Sequence, residues 1–267
     1  MSDFETRFGG IARLYGREGL EKLRSAHICV IGIGGVGTWA AEALARSGVG
    51  AVTLVDLDEI CVSNINRQIH SLTETAGRAK VKVMAERIHA INPGCRVTAE
   101  QVFFNVQTAG AILASRYDFM LDAIDSVADK VLLLARCRER GLPVVSCGAT
   151  GGRRDGTQVR RADLASVTHD RLLAGVRKKL RQEFHFPADG SPMGIDCVFS
   201  AEAPVFAQRD GTVCATRGQP EEDGTRLDCN GGLGSATFVT GAFGFAAAGL
   251  AVQKIATGGT HNPPNSR

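Results

Sequence analysis

The chain has 267 residues, 44% of them hydrophobic and 22% charged, and a formal net charge of +3. That size and balance suit one large α/β domain and exclude collagen-like, coiled-coil, disordered and disulfide-stapled classes, while so small a net charge does not by itself require a nucleic-acid partner. Eight scattered cysteines include no CxxC pair, so zinc-knuckle spacing is absent and reduced thiols are expected.

The first ten residues, MSDFETRFGG, lack the apolar run of a signal or transit peptide, and the expected location is the cytoplasm. HICVIG reads as a buried parallel strand, GIGGVG as a tight turn, and Val36, Trp39, Ala40, Ala43, Leu44 and Ser47 as one face of a helix. A second strand, AVTLVD, ends in Asp56, about 20 residues beyond the glycines, where a nucleotide-binding fold places the carboxylate that meets ribose hydroxyls. Then follow a helix with Val81, Met84, Ile88 and Ile91 inward, strands around RVTAEQVFF and YDFMLDAI, a helix from Ser126 to about Arg140, and the strand LPVVSCG. Strand and helix alternate, so the predicted fold class is α/β, with a Rossmann-like, mostly parallel sheet.

After Ala149 the rhythm changes. GGRRDGTQVRRADL reads as a turn and strand, Asp170 to Gln182 as a basic helix, and DCVFSAE and GTVCA as strands, so antiparallel strands are expected in the carboxyl-terminal third. Gly231 to Val252 carries no charge and is long enough to cross a bilayer, but Ala, Thr and Gly dilute it and it reads as a buried helix. Residues 1–257 are expected to form one nucleotide-binding domain and 258–267, GGTHNPPNSR, a disordered tail.

Gly32, Gly34 and Gly37 satisfy a dinucleotide fingerprint, in which backbone N–H groups at a helix start favour an anion and a side chain would block the phosphate. The next segment, VDLDEICVSNINRQIH, sets Asp58, Asn64, Arg67 and Gln68 directly after the ribose strand, and Lys80 follows near the start of the next helix. An Arg and a Lys converging on the strand ends suit a triphosphate better than the diester of a nicotinamide cofactor. Asp122 and Asp125 stand at the carboxyl end of YDFMLD, and Asp125 is placed to hold Mg²⁺ or to cap a helix ahead of Ser126.

The order GIGGVG, VDLD, SNINRQ, Lys80, LDAIDS resembles the superfamily of ubiquitin-activating enzymes and their bacterial relatives, which adenylate the carboxyl terminus of sulfur-carrier proteins. The resemblance implies that Gly32, Gly34, Gly35 and Gly37 line the nucleotide and that Asp56 holds the ribose. It also implies that Asn64, Arg67 and Lys80 contact phosphates and that Asp125 assists Mg²⁺; Arg67, Lys80 and Asp125 are the implied catalytic groups. In relatives an amino-terminal arginine reaches the partner subunit's ATP, and in RFGGIARLYG both Arg7 and Arg13 qualify. The phrases RFGGIARLYG, NINRQIHSL, AERIHAINPGCRV, DAIDSV, DCVFS and DGTVCA look in particular like the tRNA threonylcarbamoyladenosine dehydratase family. That likeness implies ATP-dependent cyclisation of the threonylcarbamoyl group beside the anticodon of tRNA, a homodimer, and work alongside a cysteine-desulfurase system. The rival readings are a sulfur-carrier adenylyltransferase and a nucleotide-binding scaffold without activity.

Three further features bear on chemistry. Cys197 and Cys229 are read as buried structural thiols before reactive thiolates, and His70 as a hydrogen-bonded structural histidine before a proton acceptor. Between Gly151 and Arg181, nine cations, Arg153, Arg154, Arg160, Arg161, Arg171, Arg177, Lys178, Lys179 and Arg181, face three carboxylates. This local excess of six suits tRNA phosphates or a solvated helix face.

Overall fold

Short β-branched runs buried on both faces build the centre of the molecule. The computed structural model describes residues 2–208, 210–215 and 233–258. β1 (His27–Ile31), β2 (Ala51–Val55), β3 (Arg96–Glu100), β4 (Phe119–Asp122), β5 (Val144–Cys147), β6 (Val159–Asp163) and β7 (Asp196–Ser200) form one sheet in the order β3-β2-β1-β4-β5-β7-β6. All neighbours are parallel except β6 and β7, which run antiparallel. A separate antiparallel pair, β8 (Phe206–Ala207) with β9 (Val213–Cys214), lies late in the chain. The α/β class, the parallel centre and the antiparallel additions all agree with expectation. The RVTAEQVFF strand is shorter than expected and stops at Glu100.

Helices cover both faces. α1 (Asp3–Ser25), α2 (Gly35–Arg46), α3 (Lys80–Ile91) and α7 (Thr237–Thr257) enclose one core around Leu23, Leu44, Met84 and Phe243. α4 (Ala109–Ile112), α5 (Val127–Glu139) and α6 (Arg171–Phe184) enclose the other, around Leu133, Leu173 and Leu180. α1 has no counterpart among the predicted elements, because Gly9, Gly10, Gly16 and Gly19 depress helix propensity. It forms nonetheless: Ser2 and Glu5 close a capping box, and Phe8, Leu20 and Leu23 are buried. A break at Gly16, where φ is 77°, bends it around the core.

α7 begins at Thr237, later than the uncharged stretch suggested, and is long and apolar enough to span a membrane. More than half of its apolar window is nevertheless buried inside the protein. Gly244 brings it so close to α2 that an added Cβ would lie 2.6 Å from the Val36 carbonyl, so it is a core helix, as expected. Cys229, residues 216–232 and 259–267 of the expected tail lie outside the described residues.

The strand order reverses between β1 and β4, the crevice where open α/β sheets bind ligands. The turn that leaves β1 is held there by contact. A Cβ on Gly37 would sit 1.8 Å from the Gly32 carbonyl oxygen, and Gly32, at φ 89°, would bring a Cβ within 2.7 Å of the Ala123 carbonyl. Gly37→Ala is expected to cost about 3 kcal/mol, because backbone must move, and to lower Tm by roughly 6 °C or more in a thermal melt.

Candidate active site

Ile33, in the middle of the glycine turn, is gripped on both sides of its residue. Its N–H donates to Asp56 Oδ2 at 2.7 Å, and its carbonyl accepts from His70 Nε2 at 3.2 Å. His70 is buried, and with its Nε2–H on a carbonyl its Nδ1 faces Ser71 Oγ as an acceptor. Burial pushes the imidazole pKa down to about 4, so the ring is neutral at physiological pH. This agrees with the structural reading of His70. Asp56 also accepts from Asp58 N–H at 2.9 Å; burial raises its carboxyl above the usual range, against the lowering fields of Lys80 and the two N–H groups.

The four glycines divide by what surrounds them. Gly32 and Gly37 are needed for packing, and a Cβ on Gly35 would press on Thr240 Cγ2 at 3.0 Å. A Cβ on Gly34 would meet only Gln68 Nε2, at 4.0 Å. Gly34 is the N-cap of α2, and among the described residues no side chain caps that helix, which leaves its first N–H groups for another acceptor.

Around this opening stand the predicted polar residues. Lys80, at the start of α3, is buried and donates to Asp58 Oδ2 at 2.7 Å, while Asp58 is half exposed. Asn64 uses Oδ1 to hold the Cys61 N–H at 3.0 Å, the turn role open to it, and keeps its amide N–H groups without a protein acceptor among the described residues. Gln68 is buried beside Gly34. Arg67 Nη1 donates to Ser63 O at 2.8 Å and to Asn66 Oδ1 at 3.1 Å. Its carbonyl accepts from Trp39 Nε1 at 3.0 Å and Thr240 Oγ1 at 3.1 Å. Neither Trp39 nor Thr240 was legible as part of the site, since their link to Arg67 depends on how α2 and α7 meet.

The two acids after β4 separate sharply. Asp122 is fully buried and bound to Lys130 Nζ at 2.8 Å and Ser146 Oγ at 2.7 Å, an internal ion pair. Asp125 is exposed with no protein partner among the described residues, and Ser126 rather than Asp125 caps α5. Arg7 is tied to Asp3 and to the Ile91 carbonyl at 3.3 Å, whereas Arg13 is exposed on α1 and unpaired among the described residues. Cys197 lies within β7 and burial pushes its thiol well up, as the structural reading expected. Two cavities, of about 740 and 440 Å³, open at the opposite edge of the sheet near Ala26 and Gly50.

The basic stretch is less of a footprint than its composition suggests. Arg153 is buried, Arg177 donates to the Leu164 and Val167 carbonyls, and Arg181 donates to the Pro187 carbonyl. Lys179 lies 3.9 Å from Glu183. Arg171 and Lys178 are exposed without such partners among the described residues.

The buried neutral His70 makes a pH test. Its folded pKa, about 4, lies below the unfolded value near 6.5, so its contribution is present above pH 6.5 and is lost as pH falls toward 4. The full loss amounts to about 3 kcal/mol. Denaturant melts of His70→Gln are expected to show a shallower acid decline than the parent across that window.

Comparison with known proteins places this arrangement. Residues 10–265 match the ThiF family. The tRNA threonylcarbamoyladenosine dehydratase of Escherichia coli (strain K12) is 49% identical over 250 residues, covering 93% of each chain. Solved structures of an E. coli enzyme of that name in complex with ATP and with AMP superpose with TM-scores of 0.83 and 0.84; both are 44% identical and cover 96% of this chain and 97% of theirs. The E. coli sulfur carrier protein ThiS adenylyltransferase is 35% identical, over 50% of this chain and 53% of its own. With its strand-order reversal, glycine turn and following polar segment all in place, the chain belongs to the ThiF family.

Proposed function

We propose that this protein is an ATP-dependent tRNA threonylcarbamoyladenosine dehydratase that activates the substrate carboxylate by adenylation. The observation that carries the nucleotide half is the start of α2 at Gly34, uncapped by any described side chain and with only Gln68 near a would-be Cβ, followed by the segment that bears Arg67 and Lys80. Near-complete coverage by dehydratases, against half-coverage by the sulfur-carrier enzyme, supports the substrate half. Residues 1–257 act as one domain in this reading.

ATP lays its phosphates against the α2 N–H groups, where the helix dipole and the missing side chains favour an anion. Asp56 and the more exposed Asp58 face the ribose side. Asn64 offers its free amide N–H groups, Gln68 borders the phosphates, and Arg67 and Lys80 neutralise the charge that develops as pyrophosphate departs. Lys80 reaches this role by sharing its charge with Asp58. Magnesium with a nucleotide needs only one or two protein carboxylates, and the exposed Asp125, without a partner among the described residues, fits that requirement. When bound there, Mg²⁺ supplies charge neutralisation at the phosphates. Arg13, exposed on α1 and unpaired among the described residues, is the better candidate than Arg7 to reach the nucleotide of a second subunit, which makes the homodimer the working form.

The reaction balances without an enzymic nucleophile. A carboxylate oxygen bonds to the α-phosphorus and pyrophosphate leaves; an atom of the same threonylcarbamoyl arm then attacks the activated carbonyl carbon and gives up its proton. The C–O bond to AMP breaks, and AMP carries away the former carboxylate oxygen. Threonylcarbamoyl-modified tRNA is thus the substrate, in the cytoplasm, with a cysteine-desulfurase and sulfur-acceptor system as its neighbour.

The decisive assay is AMP formation from ATP with threonylcarbamoylated against unmodified tRNA; turnover is expected only with the former, and equal rates would end this reading. Mg-ATP is expected to raise Tm more than NAD does. Arg67→Ala and Lys80→Ala are each expected to lower kcat/KM by about a hundredfold with the fold intact. Gly34→Ala, in contrast to Gly37→Ala, is expected to keep Tm and weaken ATP binding. Exchanging Arg171 and Lys178 for Ala is expected to weaken tRNA binding and flatten its salt slope by roughly one unit per lost phosphate contact, without changing ATP affinity.

A further inference from the structure

Among the described residues, Arg153 is a buried cation without an ion pair. It is 4% exposed, whereas the other buried cations, Lys80 and Lys130, are paired with Asp58 and Asp122. Its Nη2 donates to the His169 carbonyl at 2.6 Å, but Nε and Nη1 are buried with no acceptor among the described residues. Two carboxylates are near enough to be felt, and both are engaged by backbone. Asp170 accepts from Ala149 and Leu173 N–H, and Glu202 from Arg154 and Asp155 N–H. A guanidinium withdrawn from water with two of its three nitrogens unspent among the described residues is a liability that those residues do not repay. A ligand anion repays it.

The position of Arg153 says which anion. It follows β5 on the carboxyl edge of the sheet, one strand beyond Asp125. Gly152 N–H donates to the Gly234 carbonyl at 2.7 Å, and the adjacent Ser235 carbonyl accepts from Asn66 Nδ2 at 2.7 Å. Residues 233–236 therefore bridge the Arg153 loop to the Asn64–Gln68 segment, and in the proposed reaction the two border one mouth. A tRNA backbone phosphate, flanked by two riboses, is too bulky for so buried a group. A carboxylate at the tip of a slender acyl arm is not.

We infer that Arg153 is a specificity-determining residue that takes the carboxylate of the threonylcarbamoyl arm, holding one oxygen while the other remains free for the α-phosphorus; this rests on the proposed reaction. A single guanidinium with several unspent N–H donors suits that task, since charged hydrogen bonds to an anion are the strong ones.

The test crosses the protein with its substrate. Parent, Arg153→Met and Arg153→Lys are each titrated with threonylcarbamoylated and unmodified tRNA at one salt concentration, with ATP affinity and Tm measured alongside. The parent is expected to prefer the modified tRNA, and Arg153→Met to lose roughly tenfold or more of that preference while binding unmodified tRNA and ATP as before. Without tRNA its Tm is expected to be no lower than the parent's, because an unpaired buried charge is gone. An unchanged preference, or equal weakening toward both tRNAs, would overturn the assignment, the latter by pointing to a backbone phosphate. If ATP affinity also falls in Arg153→Met, Arg153→Lys decides: regained preference supports the assignment and its absence overturns it. A parent that neither prefers nor turns over the modified tRNA defeats the proposed function itself, a result distinct from a defect confined to the variants.

Discussion

The Gly32 carbonyl oxygen occupies the place where a side chain on residue 37 would have to be. That one contact folds the chain back on itself as it leaves β1 and lets α2 start directly over the strand end. Because Gly32 also leaves no room for a Cβ against the Ala123 backbone, the β1 and β4 exits lie close against each other. Asp56 and His70 then fix Ile33 from opposite sides, so the polar groups at the mouth are arranged around a turn with little freedom to move. A site that must stabilise developing charge benefits from such rigidity, since its dipoles need not reorganise as the reaction proceeds.

Charge in this protein is sorted by depth, and depth separates cations that a one-dimensional reading treats alike. Lys130 and Asp122 neutralise each other out of reach of solvent. Arg177 and Arg181 close off carbonyls around the ends of α6 and the loops beside it. Lys80 stands between these cases, buried along its length and paired with a carboxylate that is itself half exposed. Arg153 is the exception that none of these patterns covers.

Much of the fold was legible because parallel strands buried on both faces advertise themselves: HICVI, AVTLV and FMLD have almost no polar residues to disguise them. The glycine turn, Asp56 and the order of Asn64, Arg67, Gln68 and Lys80 were visible for the same reason, as local sequence serving local geometry. α1 was not, although Ser2 with Glu5 and the spacing of Phe4, Phe8, Ile11 and Tyr15 were signals of a capped amphipathic helix. Four glycines obscured them. Equally hidden were the burial of Arg153 and the carbonyl contacts of Arg177 and Arg181, because a count of charges carries no information about which arginines find carbonyls across the fold. Thr240, Trp39 and Ser235 join the mouth only through tertiary packing, which no periodicity reveals.

The link between α7 and the Asn64–Gln68 segment sets an order for biogenesis. Thr240 reaches the Arg67 carbonyl across 173 residues of sequence, and Gly244 seats the same helix against the very turn of α2 that carries Trp39. During synthesis, a nascent chain could therefore pair its central strands long before α7 emerges, yet Arg67 would lack its backing until that helix docks. Contacts of such sequence separation form late, because the intervening loop must first be closed. The backing of Arg67 thus waits for α7 rather than arriving with the βαβ unit, and a chain interrupted before that helix would bear the glycine fingerprint with the segment beside it unsupported.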